Sequence, residues 1–287
     1  MNRKKALQSL ATGAAGVFTL PSIAKAMQLL PEDMKGNINH SACRWCYQSI
    51  PLEELVVAGK AIGLKSIELL GPTEWAVAAK HGLTCAMGYA TDLGLNKGFN
   101  DPTLHEKFLK DYSDNIPKAA EAGLKNLICF SGNANGLDAE KGLENCARGL
   151  EPVVKVAQKY NITVTMELLN SKVDHKDYQC DRTEWGVKLC EKLGSENFKL
   201  LYDIYHMQIM EGDVIATIKN NIKYISHFHT GGVPGRHEID ETQELNYPAI
   251  MKAIVETGFK GFVAQEFIPS RADKLASLKQ GVGICDV

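Results

Sequence analysis

Glu167 in "TMELLN", Asp203 in "LYDIYH", His229 in "HFHTG" and Glu266 in "AQEFI" each close a short apolar run, and they stand 36, 26 and 37 residues apart. Carboxylates and imidazoles are side chains that ligate divalent cations. Acids brought together repel one another unless a cation lies among them. Taken singly, each residue has an ordinary reading. An acid at a strand end often caps the helix that follows, and a histidine in a strand is usually a hydrogen-bonded core residue. Four in step at the ends of consecutive runs point instead to a metal site. Three carboxylates and one imidazole make an oxygen-rich set, expected to hold one Mn²⁺ or Mg²⁺, with Co²⁺ also accommodated. Zinc fits less well, since no thiolate is involved.

Further chemistry surrounds this set. The stretch "YISHFHTGGVPGRHEID" (224–240) packs three histidines, an arginine and two acids behind one apolar run. His227 is two residues from His229, so strand alternation turns both to the same side. It is expected one layer deeper, as a polar plug or a support for the ligands rather than a fifth ligand. His206 follows Asp203 by three residues and falls just past a strand end, within reach of a bound substrate. Arg236 and Glu238 lie in the loop "PGRHE". The planar fork of Arg236 suits a carboxylate or a pair of hydroxyls on a substrate; the plainer alternative is a solvated salt bridge within the loop.

These residues need a frame that brings them to one place. Eight strand-like runs alternate with longer amphipathic stretches. The runs are "INHSAC" (38–43), "SIELLG" (66–71), "LTCAMGYA" (83–90), "NLICFSG" (126–132), "TVTMELL" (163–169), "KLLYDIYH" (199–206), "YISHFHT" (224–230) and "GFVAQEF" (261–267). Between them, segments such as "PLEELVVAGKAIG", "GLENCARGLEPVVKVAQKY" and "NYPAIMKAIVETG" repeat apolar residues at three and four, and glycine often ends them. Strict alternation of this kind implies a parallel sheet, and eight units favour an α/β fold closed as a (β/α)₈ TIM barrel. No G-x-G-x-x-G follows the first strand, which argues against a nucleotide-binding open sheet. In a barrel the C-terminal strand ends meet at one face, where the four candidate ligands would converge.

"MELLNSKVDHKDY", "LLYDIYHMQ", "GGVPGRHEID…ELNY" and "FVAQEF" resemble hydroxypyruvate isomerases. More broadly they resemble the xylose isomerase-like TIM barrels, which include ketose 3-epimerases and apurinic-site endonucleases. The resemblance covers about residues 38–268 and is most specific at "PGRHE" followed by "NYP". It implies Glu167, Asp203, His229 and Glu266 as metal ligands and Glu167 and Glu266 as the catalytic carboxylates. His206 and Arg236 would then orient the substrate. Hydroxypyruvate isomerases often carry glutamine where this chain has His229, and ketose epimerases carry histidine. The metal position thus leans to the epimerases and the following loop to the isomerases. "SACRWCY" and the N-terminal segment set the chain on a side branch.

The same residues support a chemistry of their own. Two carboxylates flanking an α-hydroxy carbonyl compound beside a divalent ion can move its proton through an enediolate. Return of the proton to the adjacent carbon isomerises; return to the opposite face of the same carbon epimerises. The expected activity is an isomerase interconverting an α-hydroxy aldehyde and ketone, with hydroxypyruvate and tartronate semialdehyde as first choice and a ketose 3-epimerase as the alternative. A hydrolase acting on DNA would need more histidines and a basic groove, and a non-catalytic sugar-binding barrel would not need opposed carboxylates.

Composition agrees with a small-molecule substrate. The 287 residues carry a formal net charge of −2, with no basic run for nucleic acid. No stretch has the roughly 18 unbroken apolar residues of a membrane span. Arg3, Lys4 and Lys5 precede the weakly apolar "ALQSLATGAAGVFTLPSI" and then "AKA", the pattern of an export signal cleaved after Ala26. It is twin-arginine-like, although Arg3-Lys4 stands where two arginines are usual; the alternative is an amphipathic N-terminal helix. A working signal would place the protein in the periplasm or outside, and otherwise it would stay in the cytoplasm. Residues 27–287 are expected to form the single barrel, and pairing into a homo-oligomer is compatible with it. The eight cysteines include one CxxC, Cys43–Cys46, without a second pair to complete a zinc ribbon, and read as packing residues.

Overall fold

The computed structural model describes residues 34–287, so the expected export signal at 1–26 lies outside the described residues. Eight parallel strands form the barrel: β1 (Asn39–Cys43), β2 (Ser66–Glu68), β3 (Gly88–Tyr89), β4 (Asn126–Cys129), β5 (Thr163–Glu167), β6 (Phe198–Asp203), β7 (Ile225–Thr230) and β8 (Phe262–Gln265). Their hydrogen-bonded order is β2-β1-β8-β7-β6-β5-β4-β3. Between β2 and β3 the barrel closes through bridges Ser66–Thr84 and Leu70–Gly88 rather than a full ladder. The Leu69 N–H donates to Met87 O at 2.7 Å and the Tyr89 N–H to Leu70 O at 3.0 Å across that seam.

Every sequence-expected strand is present, and each is shorter than expected. The run 83–90 reduces to Gly88–Tyr89, because its glycine and alanines offer little side chain to pack on a pleated surface. "KLLYDIYH" stops as a strand at Asp203, and the helix Ile204–Met210 begins at once, carrying His206 on its first turn.

The longest helix, Ala139–Tyr160, shows how the outer layer is specified. Asp138 caps its start by accepting from the Lys141 N–H at 2.9 Å, and Asn161 ends it in the left-handed conformation. Its apolar face, including Leu143, Leu150, Val153 and Val154, is buried against the strands. A cap of this kind contributes about 1 kcal/mol, whereas burying each large apolar side chain contributes about 1.5–3 kcal/mol, so packing decides where the helix lies. All eight cysteines are buried and free.

Register then fixes which side chains face inward. Asp203 pairs with His229 across β6–β7, and Cys43 with Glu68 across β1–β2. Glu167 pairs with Leu201, two residues before Asp203, and His229 with Ala264, two residues before Glu266. Paired residues and residues two apart share a face, so parity sends Glu167, Asp203, His229 and Glu266 to the interior at one end.

Candidate active site

Ligand atoms of Glu167, Asp203, His229 and Glu266 all lie within 4.8 Å of one another, and all four side chains are buried. The imidazole is the hub. His229 Nδ1 is 2.6 Å from Glu266 Oε2 and 3.1 Å from Glu167 Oε1. Its other nitrogen, Nε2, is 2.9 Å from Glu68 Oε1. Without an ion both ring nitrogens face carboxylates, which keeps the ring protonated despite its burial; with an ion among the acids, a proton kept on Nε2 and donated to Glu68 would leave the Nδ1 lone pair free to ligate. Three carboxylates and one imidazole nitrogen this close suit a divalent cation of the Mg²⁺ or Mn²⁺ type.

Asp203 caps a helix and still turns one oxygen to the cluster. Its Oδ1 accepts from the His206 backbone N–H at 3.2 Å, capping the short helix, while Oδ2 faces the cluster and accepts from Arg236 Nη2 at 2.7 Å.

Arg236 comes from the loop after β7, which doubles back so that Gly232 and His237 bridge antiparallel. Tyr247, from the "NYP" segment, pins the loop's start through contacts of its hydroxyl with Gly231 N at 2.8 Å and Gly231 O at 2.7 Å. Arg236 itself has a φ of 57°, a left-handed backbone uncommon for a side chain of this size. The turn aims its guanidinium into the barrel mouth, where Nη2 also bonds Glu266 Oε2, Nη1 meets His206 Nε2, and Nε donates to Glu266 O at 3.1 Å.

The solvated salt bridge considered for Arg236 and Glu238 does not form, since both are buried and they have different partners. Glu238 accepts from Ser277 Oγ at 2.8 Å and Ser270 Oγ at 2.7 Å, tying this loop to the segment after β8.

His206 lies between two donors. Asn170 Nδ2 is 2.6 Å from its Nδ1, and Arg236 is at Nε2. Burial, and then the Arg236 charge, push its pKa well down, so the ring is neutral. A neutral imidazole can accept at only one nitrogen. Asn170 is fixed by accepting from the Val173 and Asp174 N–H groups through Oδ1, and Arg236 by its bonds to Asp203 and Glu266, so the two held donors compete for the ring's one lone pair.

The carboxylates are pushed in opposite directions. Burial and the Glu266 charge raise Glu167 to about 7. Burial raises Asp203 to about 6 against the pull of Arg236. Glu266 is held well below the usual range, because His229 and Arg236 outweigh its burial. Burial likewise works against an ionised Glu68, yet His227 and His229 bring it down to about 2.

Glu68 is one residue that sequence reasoning missed. It is fully buried on β2, and its Oε1 also lies 2.7 Å from His227 Nε2, so His227 supports the site through Glu68, one layer below, as parity predicted. The signal available was an acid in the apolar run "SIELLG", closing its strand as Glu167 and Asp203 close theirs. Beside the cluster, a cavity of about 1080 Å³ is lined by Trp45, Leu69, Tyr89 and Phe130 among others.

Residues 61–283 match the family of xylose isomerase-like TIM barrels. The chain belongs to that family. It is 31% identical over 233 residues to a 2-oxo-tetronate isomerase from Cupriavidus necator, across 77% of this chain and 88% of that one. It is 29% identical over 169 residues to hydroxypyruvate isomerase from Escherichia coli, across 58% of this chain and 65% of that protein, just under two thirds of its length. A crystal structure of an AP endonuclease, family 2, from Brucella melitensis superposes with a TM-score of 0.78 at 23% identity, over 86% of this chain and 99% of the other, and shows the shared fold. The similarity to named isomerases supports an isomerase.

Proposed function

We propose that this chain is a divalent-metal-dependent isomerase of small 2-oxo acids that carry a hydroxyl on the neighbouring carbon. Hydroxypyruvate with tartronate semialdehyde is the first candidate pair, and a four-carbon 2-oxo-tetronate is the next. The observation that carries this reading is the pair Glu167 and Glu266, both within 3.1 Å of the same imidazole nitrogen in a buried four-ligand cluster.

Glu167, Asp203, His229 and Glu266 would hold the ion, Mn²⁺ or Mg²⁺. When bound, it supplies positive charge that favours negative charge on the substrate oxygens. One carboxylate takes the proton from the hydroxyl-bearing carbon. The C–H electron pair becomes the C=C bond of the enediolate, and the carbonyl electrons move to oxygen. The second carboxylate, protonated at the start, delivers its proton to the former carbonyl carbon, and the hydroxyl proton passes to the former carbonyl oxygen as the new carbonyl forms, so the product is an isomer of the substrate. Arg236 and His206 orient the acid end, and burial of all four ligands keeps bulk water from competing for the proton.

A specific residue favours the second reading. His229 is the histidine that ketose epimerases carry at this position, so inversion of one carbon in a free ketose is the alternative outcome of the same proton transfer.

Mn²⁺-loaded protein incubated in D₂O with hydroxypyruvate, tartronate semialdehyde, 2-oxo-tetronate and a panel of ketoses tests both. Interconversion of an oxo-acid pair with deuterium at the α-carbon supports the first reading. Deuterium with inversion at ketose C3 selects the epimerase. Metal binding without exchange in any substrate would reduce the chain to a binding protein.

A further inference from the structure

The segment "SACRWCY" sets this chain apart, and the four-ligand cluster does not account for it. Its Trp45 belongs to a single turn of 3₁₀ helix, Arg44–Tyr47, which follows β1 directly. The ring is 36% exposed, unusual for a tryptophan beside a buried cluster. Its indole Nε1–H crosses to β8 and donates to Glu266 Oε1 at 2.6 Å. The ring also lies under the Arg236 guanidinium, 5.7 Å from its centroid, and forms part of the wall of the 1080 Å³ cavity.

The two oxygens of Glu266 are thereby divided. Oε1 is held by Trp45, while Oε2 faces His229 Nδ1 and Arg236 Nη2 inside the cluster. An indole N–H only donates; it cannot take a proton from a carboxylic acid or accept a competing bond. A carboxylate with one oxygen fixed in this way cannot rotate about its last bond, so it presents a single oxygen to the cluster.

We propose that Trp45 is a positioning residue for Glu266, reserving Oε1 so that Oε2 alone serves as ligand and proton-transfer atom. The assignment rests on the functional reading above. Its ring gives that control a second end: whatever enters the cavity meets the same side chain that orients Glu266.

Isothermal titration of metal-free protein with Mn²⁺ tests this without needing a substrate. Trp45→Phe keeps a ring and loses the N–H; Trp45→Gln loses the ring but keeps an N–H donor at comparable reach. Outer partners of metal ligands typically change affinity by about 10–100-fold. Trp45→Phe is expected to weaken Mn²⁺ binding by about 10-fold with an unchanged melting temperature, and Trp45→Gln to recover part of the loss. On a working substrate, Trp45→Phe is expected to lower kcat about 10-fold with little change in KM. Equal Mn²⁺ affinity in wild type and Trp45→Phe overturns the inference and leaves the isomerase reading standing. So does an affinity as weak in Trp45→Gln as in Trp45→Phe, or a loss that merely tracks a lower melting temperature. A wild type that binds no Mn²⁺ defeats the isomerase reading itself, and the inference with it.

Discussion

Glu68 Oε1 lies 2.9 Å from His229 Nε2, at the opposite end of the ring from the carboxylates that face Nδ1. The contact orients the ring and fixes which nitrogen carries the proton. Glu68→Ala is therefore expected to weaken Mn²⁺ binding by about 10–100-fold, and Glu68→Gln by less, since an amide oxygen can still accept from Nε2. Calorimetric titration of the metal-free variants checks the order. Unchanged affinity in Glu68→Ala would make the contact a packing feature only.

Glu167 and Glu266 reach the same nitrogen from β5 and from the end of β8, and they are expected to share the proton transfer. Replacing either with glutamine keeps its shape and removes its basicity. Each variant should fold normally by circular dichroism and lose at least about 10³-fold in turnover, somewhat more than the contribution of about 10²–10⁴ usual for a positioned acid or base would require at its lower end. Deuterium exchange at the substrate α-carbon separates their roles, because the residue that removes the proton is needed even for exchange without product. Near-normal exchange and turnover in one variant would take that residue out of the chemistry.

Arg236 is the positive charge that offsets Asp203 and Glu266 in the protein alone. Arg236→Ala leaves buried acids unpaired, which costs about 3–5 kcal/mol in comparable sites. In a domain of this size that is a drop of roughly 10 °C in melting temperature. Added Mn²⁺ should restore most of it by placing a cation among the same acids. With metal present, the expected kinetic effect is mainly on KM, since His206 already competes for the contact that a substrate acid would replace. A melting temperature unaffected in metal-free Arg236→Ala would show that the acids are balanced by other means.

Much of this site was legible because period-two alternation and strand-end position are local properties. Glu167, Asp203, His229 and Glu266 converge because each closes its strand on the inward parity, and parity can be counted in sequence. Arg236 was placed correctly in the loop but not in the cluster, because its aim depends on a left-handed residue and on the Tyr247 hydroxyl clamped to Gly231, both products of the folded loop. Glu68 escaped because β2 is only three residues long and pairs with β1, so its closeness to β7 arises from barrel closure across the interior rather than from neighbouring strands. Trp45 escaped for a different reason: β1 and β8 are neighbours only because the barrel closes, which brings it to a partner 221 residues away in sequence.

At the opposite end of β1, His40 is 1% exposed, and neither ring nitrogen has a hydrogen-bond partner. Asp286 Oδ1 approaches only to 3.6 Å. Burial lowers the pKa from 6.5 to about 4, with Asp286 offsetting only part of the shift. Between those values the unfolded chain binds a proton that the folded chain refuses, so stability falls as pH drops from 6.5 toward 4 and levels off below. The full difference is about 3 kcal/mol from this one residue. His40→Gln removes the titrating ring, so urea unfolding of the variant should lose less stability than wild type across pH 6.5 to 4. The difference should vanish in slope above pH 7, where both states of the wild-type ring are neutral. Parallel wild-type and variant curves through the window would mean that the ring finds a proton acceptor in the folded protein, with Asp286, its one near anion, closing the 3.6 Å gap.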